Sequence, residues 1–228
     1  MKLKKIASLA LAGIMAVSML AGCKDGTNQE EPSSSSQVPA TTNVVTYAND
    51  ALSSAEKGVF TFKSSSELDT ILQAAANDKT KFTSQEINAS YDTAAAAWCG
   101  NGKNEDLADA VKGKVQDNAI VVGKFGCTLA ANGGKDQKIV RVFTAFGALD
   151  EKTAIKQVIA EFKNGDTVIN KTNYPEAIKK DANTAATYDA EYAGEISAVK
   201  VTSNDNTAKT SWVVAIVITQ SVTEAANV

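Results

Sequence analysis

The 228-residue chain contains no histidine. That absence removes Ser-His and Cys-His nucleophilic systems, histidine metal sites and the commonest general base in one step. Cysteine is scarce too: Cys23, Cys99 and Cys127 are the only three, and none belongs to a CxxC pair, so nothing points to a redox or zinc motif of that spacing. The glycines do not fall into phosphate-loop or dinucleotide spacing. Gly123-Lys124-Phe125-Gly126 and Ala131-Asn132-Gly133-Gly134-Lys135 read as strand and turn instead. An excess of positive charge is also lacking, with 23 Lys and Arg against 26 Asp and Glu and a formal net charge of −3. This argues against nucleic acid, or an anionic lipid surface, as the main partner. A long apolar run is missing as well. The stretch from Ile6 to Gly22, diluted by alanine, serine and glycine, sits at the lower edge of the roughly 20 residues a bilayer span needs.

What is present begins with an address. Lys2, Lys4 and Lys5 precede an apolar run from Ile6 to Leu20, which ends in Leu20-Ala21-Gly22-Cys23. A basic start, a short apolar run and small residues before a cleavage point are the marks of an export signal. This leader resembles those of bacterial lipoproteins, whose lipobox cysteine receives a diacylglyceryl thioether before the signal peptide is removed. The resemblance implies that residues 1–22 are removed, that Cys23 becomes the lipidated N-terminus, and that the protein is extracytoplasmic and held to the cell membrane by its lipid. Loss of the leader takes away three lysines and no acidic residue, leaving a net charge of −6. Residues 24–42 are Gly, Thr, Asn, Gln, Glu, Pro and Ser with hardly an apolar side chain, and Ser33 to Ser36 are consecutive. Such a segment has too little to bury to offset the entropy of ordering it, and it reads as a flexible tether. The organisation expected is therefore a signal peptide over 1–22, a lipidated cysteine and tether over 23–42, and one globular domain over 43–228.

Within that domain the first half reads as helical. Val44 to Tyr47 lead into a helical stretch, and Val59 to Phe62 look like a short strand. Ser64 with Glu67 has capping-box spacing, followed by Leu68, Ile71, Leu72 and Ala75 on one helix face. Thr83 with Glu86 repeats the box, and Ile87, Tyr91, Ala94, Ala95 and Trp98 continue as an apolar stripe to Gly100. A shorter helix is expected from Glu105, stopped by Gly113. The period then changes to two. Ala119 to Val122, Phe125, Cys127 and Leu129 form one strand signal and Ile139 to Phe146 another, with Asn132-Gly133-Gly134 as the turn of a hairpin. Asp150 caps a helix carrying Ile155, Val158, Ile159 and Phe162, and the stretch from Asn170 to about Ala190 reads as loop and short helix. A second hairpin joins Glu195 to Thr202 with Ser211 to Val222, whose apolar residues on both parities suit a strand covered on both faces. The fold class expected is α+β: an antiparallel sheet of four or five strands, including two C-terminal hairpins, with three or four helices packed on it.

Chemistry is hard to find in this pattern. Ser54-Ala55-Glu56-Lys57 and Ser197-Ala198-Val199-Lys200 match a Ser-x-x-Lys tetrad. With 17 serines in the chain, chance alone supplies about that many matches, and the Lys-Thr-Gly partner motif is incomplete at Lys209-Thr210-Ser211. Asp106 with Asp109, and Glu191 with Glu195, would share a helix face and read as solvated surface. Cys99 and Cys127 are the two cysteines left after Cys23. In an oxidising compartment they form a disulfide or remain as two buried thiols. Tyr174, Tyr188 and Tyr192, interleaved with Glu176, Asp189 and Glu191, are the one aromatic and polar cluster outside the well-patterned elements. They either stack on a ligand or fill a gap in the core, whereas Trp98 and Trp212 fall in apolar stripes and read as core. No cofactor, metal or catalytic set emerges. The expectation is a lipid-anchored module that binds an extracytoplasmic ligand or an envelope protein, with a structural envelope role and a histidine-free enzyme as alternatives.

Overall fold

The structure is a computed structural model in which residues 43–225 are described, apart from 93, 94, 101, 117, 118, 127, 130–135, 182 and 184–186. The leader, Cys23, the tether and Cys127 lie outside the described residues. Six helices and seven strands follow one another among those described: α1 (Asn43–Asp50), α2 (Ser54–Lys57), β1 (Phe62–Lys63), α3 (Ser66–Asn77), α4 (Ser84–Tyr91), β2 (Ala97–Trp98), α5 (Glu105–Val115), β3 (Ile120–Val121), β4 (Gln137–Phe146), α6 (Glu151–Phe162), β5 (Ala177–Lys179), β6 (Thr187–Thr202) and β7 (Thr210–Glu224).

All seven strands belong to one sheet of order β1-β6-β7-β4-β2, with β5 also pairing β6 and β3 also pairing β4. The class is α+β, but the sheet is mixed and larger than an antiparallel set of four or five strands. Strand β7 runs antiparallel to both neighbours, from Thr202↔Thr210 to Tyr188↔Glu224 against β6 and from Phe146↔Ser211 to Gln137↔Gln220 against β4. The two short strands β1 and β3 pair in parallel with β6 and β4. The second expected hairpin is therefore present, whereas the first is not: Ile120 and Val121 lie parallel to Gln137 and Lys138. A two- to five-residue hairpin loop, as in most tight hairpins, cannot join parallel strands.

Strand β6 starts at Thr187, eight residues before its expected start, so Glu191 and Glu195 share a strand face rather than a helix face. Alanine and glycine at 190, 193 and 194 hid the strand signal, and pairing along the whole of β7 overrides their weak β-propensity. Helix α4 ends at Tyr91, which places Trp98 on β2 instead of a helical stripe. Helix α5 passes through Gly113 to Val115, because burial of Leu107, Ala108, Val111 and Val115 outweighs the ~1 kcal/mol that an interior glycine costs.

Local capping follows the sequence closely. Thr83 and Glu86 form the expected reciprocal box, with the Glu86 N–H donating to Thr83 Oγ1 (3.3 Å) and the Thr83 N–H to Glu86 Oε2 (2.8 Å). Asp150 accepts from the Thr153 N–H at 2.9 Å. At α3 the cap is Ser65, one residue later than expected, accepting from the Leu68 N–H at 3.3 Å.

The alternating side chains of the central strands feed two separate cores. Trp212, Val214, Ile216 and Ile218 of β7 face α1 and α6, while Val213, Ala215 and Val217 face α3, α4 and α5. This gives a helix, sheet, helix sandwich in which β7 is covered on both sides, as its continuous apolar run requires. The β6–β7 turn is fastened to α4: Asn88 Nδ2 donates to Asp205 Oδ2 (2.6 Å), and the Thr207 hydroxyl donates to Asn88 Oδ1 (3.1 Å). The Ser203 and Thr207 hydroxyls and the Thr207 N–H also donate to Asp205 Oδ1. Together these bonds hold the Asp205 carboxyl well below the usual carboxylate range.

Candidate functional site

The two outer edges of the long strands are only partly paired, and each interruption opens onto the α1/α6 side of the sheet. On β6, β5 covers residues 187–189 and β1 covers 194–195. On β4, β3 covers 137–138 and β2 covers 143–144. A recess of about 290 Å³ lies at the first interruption and one of about 320 Å³ at the second.

The first recess contains two of the three tyrosines singled out in the sequence. Tyr174 and Tyr192 line it with Lys171, Glu176 and Glu191. Tyr188, two residues before Ala190 on β6, is half-buried and packs instead against a small cluster of Leu129, Ile178 and Ala190, in company with Tyr192. The structure thus gathers the three tyrosines at one end of the sheet but puts only two of them on the recess. Their polar ends turn inward. Tyr192 donates to the Pro175 carbonyl (2.8 Å) and accepts from Gln220 Nε2 (2.9 Å), and the Tyr174 hydroxyl lies 3.5 Å from the Thr167 carbonyl it faces. Tyr174 is only 1% exposed, and burial raises its phenol pKa, against the pull of Arg141. The rings pack with centroids 5.2 Å apart and both contact Phe125, at 5.6 and 5.3 Å. Lys171 is held by Glu176 at 2.9 Å in an exposed pair. The Tyr192 hydroxyl is therefore engaged, the rings pack into the core, and Lys171 is paired at the surface.

The second recess holds the chain's single arginine. Arg141 lies on β4 between Ile139 and Phe143, half-buried, with its guanidinium 5.3 Å from the centre of the Trp98 ring. Nη1 donates to the Val140 carbonyl (3.1 Å) and Nη2 to the Gly123 carbonyl (2.6 Å), so the side chain bridges the gap between β2 and β3. Those bonds use two of a guanidinium's five N–H groups. Among the described residues no carboxylate lies within ion-pair distance of it. Burial lowers its pKa while Tyr174 and Asp166 oppose the shift, and a guanidinium stays charged throughout. The buried Trp98 Nε1 has no hydrogen-bond partner among the described residues. Phe143, Glu161, Asn164 and Asp166 complete the wall, with Asn164 Nδ2 on Glu161 Oε2 at 3.2 Å. The turn behind it is secured by the Thr167 hydroxyl, which donates to the Phe162 and Asn164 carbonyls.

Sequence reasoning missed this site, although one signal was available: a lone arginine inside the apolar run Ile139 to Phe146. A charged residue in a strand buried on both faces needs a special environment, and here the gap in the edge supplies it.

Cys99 follows β2 and is a completely buried free thiol. Burial pushes its pKa up to about 12, and the Asn104 amide 4.0 Å away partly offsets this. Its expected partner Cys127 lies outside the described residues. Trp212 is half-buried, donating Nε1 to the Leu149 carbonyl at 3.0 Å. No helix among the described residues is long and apolar enough to cross a membrane. No family model, curated protein or solved structure matches this chain.

Proposed function

We propose that this protein is a lipid-anchored extracytoplasmic binding module, tethered to the cell membrane through Cys23. The observation that carries the binding half of this reading is the Trp98–Arg141 recess, where a cation with no ion-pair partner among the described residues lies over an aromatic ring at an open wall. Buried polar groups are normally satisfied, and binding sites are where such groups gather around an apolar floor. The anchoring half rests on the Leu20-Ala21-Gly22-Cys23 leader. The 19 residues from Lys24 to Thr42 separate that cysteine from the described domain. Two acyl chains supply the two anchoring signals that stable attachment needs.

Both halves have direct tests. Growth with labelled palmitate is expected to label the wild-type chain in the membrane fraction, while Cys23→Ala loses the label. The full chain in detergent is then heated with a panel of amino acids, peptides, glycans and peptidoglycan fragments. A ligand that binds only the native state at 100 times its Kd adds about 2.7 kcal/mol of stability and raises the melting midpoint. No shift with any member would remove the binding reading and leave a structural envelope role.

A further inference from the structure

We infer that the Trp98–Arg141 recess binds a small zwitterion, an amino acid or short peptide whose carboxylate meets Arg141 and whose ammonium meets Glu161 and Asp166. The inference rests on the binding-module reading and names the ligand class for its site.

Charge selects the class. The wall carries one fixed cation, Arg141, and two carboxylates, Glu161 and Asp166. A purely anionic ligand would gain the guanidinium but meet two like charges, and a purely cationic one would meet Arg141. A ligand bearing both signs satisfies both parts of the wall. Geometry favours a carboxylate on Arg141, because the guanidinium's planar fork matches two carboxylate oxygens. Its remaining N–H groups are not taken by an ion pair among the described residues, and the bonds to Val140 and Gly123 lock its orientation beforehand, which lowers the cost of ordering it on binding.

Size narrows the class further. About 320 Å³ is at the small end of ligand sites, roughly 300–1,000 Å³, and excludes a long oligosaccharide or a folded partner. Phe143 and the Trp98 ring give an apolar floor for a short side chain. By contrast, the tyrosine recess has the Tyr192 hydroxyl and its lysine already engaged.

Titration calorimetry of the full chain in detergent against glycine, L-alanine and glycylglycine, with acetate and methylammonium as single-charge controls, tests the inference. Saturable binding is expected for at least one zwitterion, about tenfold or more tighter than for either control, since losing one charged contact typically costs that much. Arg141→Lys keeps the charge but loses the fork and should weaken the zwitterion at least about tenfold. The double change Glu161→Gln with Asp166→Asn alters the half-open wall without touching the sheet. It should weaken the zwitterion and strengthen acetate, a reversal that a merely structural role would not produce. Equal binding of zwitterion and acetate, or no reversal in the double variant, overturns the inference. If every zwitterion fails while a glycan or peptidoglycan fragment shifts the melting midpoint, the ligand class falls and the module stands; if the whole panel fails, both fall.

Discussion

On one side of β7 the rings of Phe60, Phe62, Phe143, Phe162 and Tyr174 close over Val214, Ile216 and Ile218. On the other, Leu68, Leu72, Val111, Val140 and Val142 close over Val213, Ala215 and Val217, with Phe82 as the buried ring. The ring-rich side is a connected series of edge and tilted contacts running from Tyr192 through Tyr174, Phe60, Phe62 and Phe162 to Phe143. Rings are flat, stiff and large, so they leave space where the series ends, and the two polar-lined recesses lie at its ends, against Tyr192 and against Phe143. On the aliphatic side, the cleft around Ser65, Glu195 and Val217 is only about 20 Å³. A larger recess on that side, about 470 Å³, lies between α3 and α5, away from the sheet. Beside the sheet the recesses lie where the ring series ends, whereas on the aliphatic side the larger one lies between helices.

The sharpest way to break the contrast is Phe162→Ala. Phe162 is fully buried and holds Phe62 and Phe143 together, with centroids 6.4 Å from each. Chemical denaturation should show a loss of about 3–5 kcal/mol; a loss below about 2 kcal/mol would mean the ring series is not a cooperative unit. Next comes Gly194→Ala. A methyl there would approach Phe60 Cδ2 to 2.9 Å and Phe62 Cδ1 to 3.0 Å, and this overpacking should cost about 1–3 kcal/mol. The same change at Gly113, where nothing lies within 4 Å, should instead stabilise α5 by up to about 1 kcal/mol. Tyr192→Phe removes a hydroxyl bonded to both Pro175 and Gln220 and should cost roughly 1–2 kcal/mol, with no change in ligand binding if that tyrosine is core.

The aliphatic side offers a pH test. The folded-state pKa of Asp205 is depressed, so its contribution is present above the unfolded value of about 3.9 and is lost as pH falls through the folded value. Asp205→Asn should therefore be less stable than wild type at neutral pH, and the difference should close as the pH drops below about 4. The smallest effect is chemical. Cys99 should not react with a thiol reagent in the native protein, given its burial and raised pKa, and should react at once in denaturant.

Much of this fold was legible in the residues. The helices with strong side-chain periodicity and an N-cap, α4 and α6, begin where Thr83 and Asp150 say they should. The β6–β7 hairpin was visible because β7 is apolar on both parities. The rest was hidden where long-range pairing overrode local signal: in the alanine- and glycine-rich start of β6, in the parallel pairing of β3, and at Trp98, where an alanine-rich run imitates a helix. The candidate site was half legible. The tyrosine cluster does assemble, but which way a hydroxyl points depends on Pro175 and Gln220, which are 17 residues back and 28 residues on from Tyr192. The Arg141 recess joins α6, β2 and β4, and no local pattern announces that meeting.

The position of β7 has a consequence in time. It is the last of the described strands and the middle strand of the sheet, so neither β6 nor β4 has its main partner until residues 210–224 emerge. A nascent chain lacking them has two cores with no wall between them, and contacts so distant in sequence form slowly. The two cores therefore close together, when β7 takes its place between β6 and β4.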